Sequence, residues 1–290
     1  MTQIPARIEF HQTRSFSDLL GVTFEFLRQH AKPLIRGWIF LVGPVALLAS
    51  LADLYYYDLV GVDESRTAAE PDAVLKAIAF RGLGAFLAAY FTALMIWEYL
   101  LLYKEHGRTI EVDMLWPAMK RDFWFLLWTH VAFFIALIIG FILLVIPGIY
   151  LSVALSILPV VRLVERQGIL EAMSRARRLI SGFWWFTLGL IIVISIIQTV
   201  FGALLMGPQQ ILMFLLMLNR PETGDKAGFI DDHPVIALLA VGMGALAYFS
   251  YMLYSMTLTF HYFNLVERKE APNLMDRVDR MGDAGMTGEV

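Results

Sequence analysis

Apolar side chains along this chain come in long runs rather than in strict alternation. Several runs continue for about 20 residues with at most one charge, the length that crosses roughly 30 Å of hydrocarbon as a helix. Six spans follow: about Leu34 to Tyr57, Ala77 to Tyr103, Phe123 to Ile146, Ile149 to Val164, Phe183 to Met206 and Val235 to Asn264. The fourth has about 16 residues, or roughly 24 Å at 1.5 Å each, and is short for a span. Gln209–Asn219, after Gly207-Pro208, is apolar but too short to cross, and reads as an interfacial or re-entrant helix. The expected architecture is all-α: a six-helix transmembrane domain over 33–264, an amphipathic segment over 1–32 and an amphipathic tail over 265–290.

The segments between spans carry a different pattern. From Ser15 to His30, Phe16, Leu19, Leu20, Phe24 and Leu27 recur at three- and four-residue steps, with Ser15 placed to cap the helix. Such a helix is expected to lie at the membrane surface. The stretch 168–181 and the tail beyond Pro272, with Leu274, Val278 and Met281 in one stripe, repeat the device. An amphipathic segment, a basic and aromatic edge and an outgoing and returning span occur three times, with little residue identity between units. Membrane hairpins recur for simple physical reasons, so this repeat does not by itself place a site.

Composition agrees and narrows the classes. The chain is 58% apolar and 17% charged, with a mean hydropathy of +0.64, which excludes a soluble enzyme, a secreted module and a disordered chain. It has no cysteine, so disulfides, thiolate catalysis and cysteine-bound metals are excluded. If both termini are cytoplasmic, 18 of the 23 basic residues fall inside and only Arg66, Lys76, Arg81, Arg220 and Lys226 fall outside, as the positive-inside rule demands. The expected topology is N-in and C-in.

Chemistry-bearing residues are few. Glu98, His130, Arg162, Glu165 and His261 all lie near the inner ends of their spans, at similar depth, where a polar cluster is geometrically possible. Convergent, they would offer a proton or metal site; separate, they would snorkel and pair locally, and the absence of any at the midplane favours the latter. Arg175, Arg177 and Arg178 are expected to meet anionic headgroups rather than nucleic acid. There is no HExxH, no GxSxG and no phosphate-binding glycine loop, so no catalytic residue, metal ligand or cofactor is assigned.

The most distinctive stretch runs from Pro147 to Trp185. Pro147-Gly148 leads a short span with an internal Pro159; Glu165 and Gly168 follow. A basic helix with Ala172 and Arg175 comes next and ends in Gly182-Phe183-Trp184. This stretch resembles a family of bacterial integral membrane proteins related to the membrane domain fused to some glycerophosphodiester phosphodiesterases. The resemblance implies six helices in a bacterial inner membrane. It does not imply catalysis, because diesterase activity in those proteins belongs to a separate soluble barrel domain. From the residues, Pro147-Gly148 is expected to make a tight outer turn and Pro159 to kink the fourth span. The leading functional expectation is a non-enzymatic scaffold or accessory subunit, with lipids and protein partners met by the inner helices and tail. The alternative is a carrier or lipid-handling protein, with a cavity between hairpins lined by Glu98, His130, His261 or Gln198.

Overall fold

The computed structural model describes residues 8–61, 71–107, 109–218 and 234–271, and among these every regular element is helical. Five helices are long and apolar enough to cross a membrane, or six if the bent first pair forms one span. The chain is therefore a multi-pass α-helical membrane protein. The predicted tail stripe at 272–290 and the first seven residues lie outside the described residues.

Helix α1 (Phe16–Leu41) starts where the sequence placed its cap. The Ser15 hydroxyl accepts from the Asp18 N–H at 3.3 Å, and the Asp18 carboxylate accepts from the Ser15 N–H at 3.1 Å. The helix does not stop at 30, and it does not rest its apolar stripe on lipid. Of that stripe Leu19 is buried and Phe24 is 42% exposed; Val22 and Phe26 beside it are buried too, with Phe26 set edge-on against Tyr99, Tyr103 and Phe260. The stripe is wide enough to form the protein's own core, and that contact wins over the membrane surface. Pro33 deprives the Gln29 carbonyl of its helical partner, and the backbone leaves helical geometry at His30. Helix α2 (Gly43–Gly61) then departs at 62° to α1, so the expected first span is broken near Val42.

Helix α3 (Pro71–His106) packs along α2. Its Gly84 allows the approach: a Cβ there would stand 3.0 Å from the Ala49 Cα. Helix α4 (Val112–Leu143) merges the second amphipathic segment with the third span in one rod. The turn that follows is not at Pro147-Gly148 as expected. The backbone breaks at Leu144, which is extended, and α5 (Val145–Ala154) already contains both residues. Pro147 sits in the first turn of α5, where its missing N–H is harmless. Gly148 is needed elsewhere: a Cβ would fall 2.5 Å from the Phe141 ring, so the glycine sets how closely α4 and α5 cross.

After three non-helical residues, 155–157, α6 (Leu158–Glu165) completes the span, with Pro159 in its opening turn. The break expected from Pro159 is present, one turn before it. Arg166, in the left-handed region at φ 54, ends α6, and α7 (Ile169–Ile180) buries Ala172, Ala176, Leu179 and Ile180. Gly182, at φ 84, turns the chain into α8 (Trp184–Leu218). That helix runs through Gly207-Pro208, so 209–219 does not form a helix of its own. One missing N–H inside a long apolar run does not outweigh the bonds on either side. The last span is interrupted as well: α9 (Pro234–Ala247), a 3-10 turn at Tyr248–Ser250, then α10 (Tyr251–Glu270), which is buried for most of its length.

Candidate functional site

The five polar residues singled out by depth share a layer at the basic end of the bundle, but they do not converge. Glu98 on α3 is 1% exposed and lies 3.8 Å from the Arg121 guanidinium. His130 on α4 donates from Nδ1 to the Leu126 carbonyl at 2.9 Å, with its ring against Tyr90 and Trp97. Glu165 accepts from Arg175 Nε and from the Tyr262 hydroxyl, each at 3.0 Å. His261 is fully buried, and its Nε2 meets the Thr187 hydroxyl at 2.9 Å. Arg162 donates to the Phe125 carbonyl at 2.7 Å and to the Thr129 hydroxyl, and its guanidinium lies 3.9 Å from the Phe125 ring centroid. Each therefore has its own partner set, and no group of three potential metal-ligating side chains occurs among the described residues.

The layer has members that depth alone did not single out. Asp122 is 2% exposed and is held by Arg166 through two guanidinium nitrogens, one at 2.9 Å, and by Arg121 at 2.9 Å. The Asp122 carboxylate raises the basicity of Arg166 by hydrogen bonding, against the cost of burial. Arg175 is not at a headgroup position: it bridges Glu165 and Glu270, with its side chain 19% exposed, and those hydrogen bonds raise its basicity. Arg177 and Arg178 on the same helix are exposed.

Above this layer lies a cavity of about 320 Å³. Phe86, Tyr90, Ala93 and Trp97 of α3, His130, Phe133 and Phe134 of α4, and Pro159 and Val160 of α6 form one side. Ser195 and Gln198 of α8, with Tyr251, Tyr254, Ser255 and Leu258 of α10, form the other. From Phe86 to Trp97 the lining extends about 16 Å along α3, at 1.5 Å per residue. The volume falls at the lower end of the usual range for ligand pockets, about 300–1,000 Å³, and the wall is mostly apolar with a few polar atoms. Two lining residues stand out. Trp97 and Ser156 line the cavity, and their Nε1 and Oγ atoms are buried without a hydrogen-bond partner. Leaving such groups dry and unpaired costs about 1–3 kcal/mol each.

Both interrupted spans meet here. The non-helical residues between α5 and α6 include Ser156, and the 3-10 turn before α10 leads into Tyr251. Irregular backbone at membrane depth is tolerated where it is enclosed by protein or faces a cavity. Of the residues named from sequence for such a cavity, His130 and Gln198 line it; Glu98 and His261 do not. Searches against protein-family models, curated proteins and solved structures find no match for this chain. The fold and cavity define a class, a helical membrane protein with a partly open, mostly apolar cavity between its helices.

Proposed function

We propose that this chain is a non-enzymatic, multi-pass protein of a bacterial inner membrane, with both termini cytoplasmic, that takes up an apolar or lipid-like ligand between its helices. The cavity flanked by two interrupted spans carries this reading. Sequence alone favours a scaffold; a mostly apolar cavity between the helices moves the carrier or lipid-handling function ahead of it. The distribution of Lys and Arg supports the orientation. The likeness of residues 147–185 to bacterial membrane families supports the compartment. No step of bond making or breaking is assigned.

The test is to fill the cavity. Ala93 lines it, and Ala93→Phe adds a ring to its volume. Lipids that co-purify with the wild-type protein after gentle extraction should be identified by mass spectrometry. A reproducible ligand that falls at least about fivefold in Ala93→Phe, at unchanged protein yield, is the expected result. An equal complement of lipids in both proteins removes the reading. The second reading, a scaffold or accessory subunit, rests on Trp124, Trp128 and Trp185, which are 65%, 58% and 79% exposed at the basic end. A stoichiometric protein partner that is lost when these tryptophans are changed to alanine would favour it.

A further inference from the structure

The wall of the cavity brings no ion to its contents. Among the described residues that line it there is no Asp, Glu, Lys or Arg; its polar side chains are hydroxyl, amide, indole and imidazole groups. The charged side chains nearest in the chain turn elsewhere. Glu98 follows the lining Trp97 but sits against Arg121. Arg162, one turn beyond the lining Pro159, is taken up by the Phe125 carbonyl and the Thr129 hydroxyl. The ion-paired layer and the cavity are thus chemically separate.

That separation selects among ligands. An ion placed against such a wall gives up its water and finds no counter-ion, a loss that neutral dipoles return only in part. Aromatic walls can hold a cation over an open ring face. Here rings engage one another instead: Phe86 stacks on Tyr90 and meets Phe134 edge-on, and Trp97 lies across His130 at 31°. They form a packed apolar surface rather than an open cage.

One lining group is set for a specific contact. His130 donates from Nδ1 to the Leu126 carbonyl at 2.9 Å, and a carbonyl can only accept. A neutral ring so held carries its lone pair on Nε2, which has no hydrogen-bond partner among the described residues. Tyr90, packed edge-on against the ring, spends its own hydroxyl on the Phe123 carbonyl. The acceptor on His130 is therefore left for something else.

Resting on the cavity reading above, we infer that the ligand is an uncharged amphiphile with one apolar chain and a hydroxyl head, whose O–H donates to His130 Nε2. A volume of about 320 Å³, at the small end for ligand sites, favours one chain over two.

The experiment holds the chain constant and changes the head. Radiolabelled oleyl alcohol, its methyl ether, oleyl sulfate and oleyltrimethylammonium are bound to the purified full-length protein in a non-ionic detergent, each affinity corrected for partition into micelles. The same set is bound to His130→Phe, which keeps a ring against Tyr90 and Trp97 but has no acceptor, and to Ala93→Phe. The wild-type protein is expected to bind the alcohol about tenfold or more tightly than either ion, and about fivefold more tightly than the ether. His130→Phe should erase the preference for alcohol over ether while leaving ether binding unchanged. Ala93→Phe should weaken the alcohol and the ether alike.

Either ion bound as tightly as the alcohol overturns the inference and leaves the cavity reading standing. So does equal binding of alcohol and ether by the wild-type protein, or a preference for the alcohol that survives His130→Phe. If none of the four binds, or if Ala93→Phe leaves alcohol binding intact, the cavity reading falls and the inference with it. Should His130→Phe fail to fold, the ranking of the four ligands on the wild-type protein still decides.

Discussion

His11 shows how one side chain couples the amino-terminal segment to the rest. Its ring packs edge-on against Phe263, and its Nδ1 lies 3.8 Å from a Glu267 oxygen. Burial and the nearby Lys104 hold its basicity below the ordinary value of 6.5, with Glu267 opposing them. The folded state therefore binds fewer protons than the unfolded chain just below that value. The stability this group contributes is complete above about pH 6.5 and declines as the pH falls. Thermal unfolding in detergent should show a lower midpoint at about pH 5 than at about pH 7, and His11→Gln should reduce that difference. Depth was the only guide the sequence offered at this scale, and azimuth stayed hidden. Glu98, His130, Arg162, Glu165 and His261 were grouped by depth, yet each meets a different neighbour. Asp122 was hidden for the same reason, since a carboxylate beside Lys120 and Arg121 reads as one more boundary charge until Arg166 is seen across from it.

Helices were the most legible part, because a run of about 20 apolar residues has few alternatives in a bilayer. Their breaks were less so. The cap at Ser15 and the interruption near Pro159 follow from local chemistry and were readable. The bend at Val42, the turn at Leu144 and the continuation through Pro208 depend on which neighbours each helix meets. Glycines in α3 separate the two kinds of cause. A Cβ at Gly82 meets nothing within 4 Å, whereas at Gly84 it would press on the Ala49 backbone. Gly82→Ala should be neutral or stabilising by up to about 1 kcal/mol through helix propensity. Gly84→Ala should destabilise by about 1–3 kcal/mol, because α2 must move away. Unfolding midpoints of the two variants, measured side by side, check the sign of each.

At the scale of the molecule, charge and burial divide the bundle into unlike ends. Ion pairs join α3, α4, α6, α7 and α10 at the basic end, where Lys269 also donates to the Arg178 and Ser181 carbonyls at the close of α7. The natural absence of cysteine makes the orientation directly testable. A single cysteine at Arg177 should resist a membrane-impermeant maleimide in intact cells and react after permeabilisation, while one at Ala68 should react in both. The reverse pattern would invert the topology.

The opposite end is built differently. At the α4–α5 hairpin, Ile142, Leu143, Leu144, Val145 and Ile146 are between 62% and 80% exposed, with hardly any protein around them. Lipid tails complete the packing there, so the thickness of the hydrocarbon layer becomes one of the forces on the hairpin. Mismatch costs fractions of a kcal/mol per ångström. A thinner bilayer would press this tip down toward a layer pinned by ion pairs, and the strain would fall on the cavity wall that α4 and α6 share.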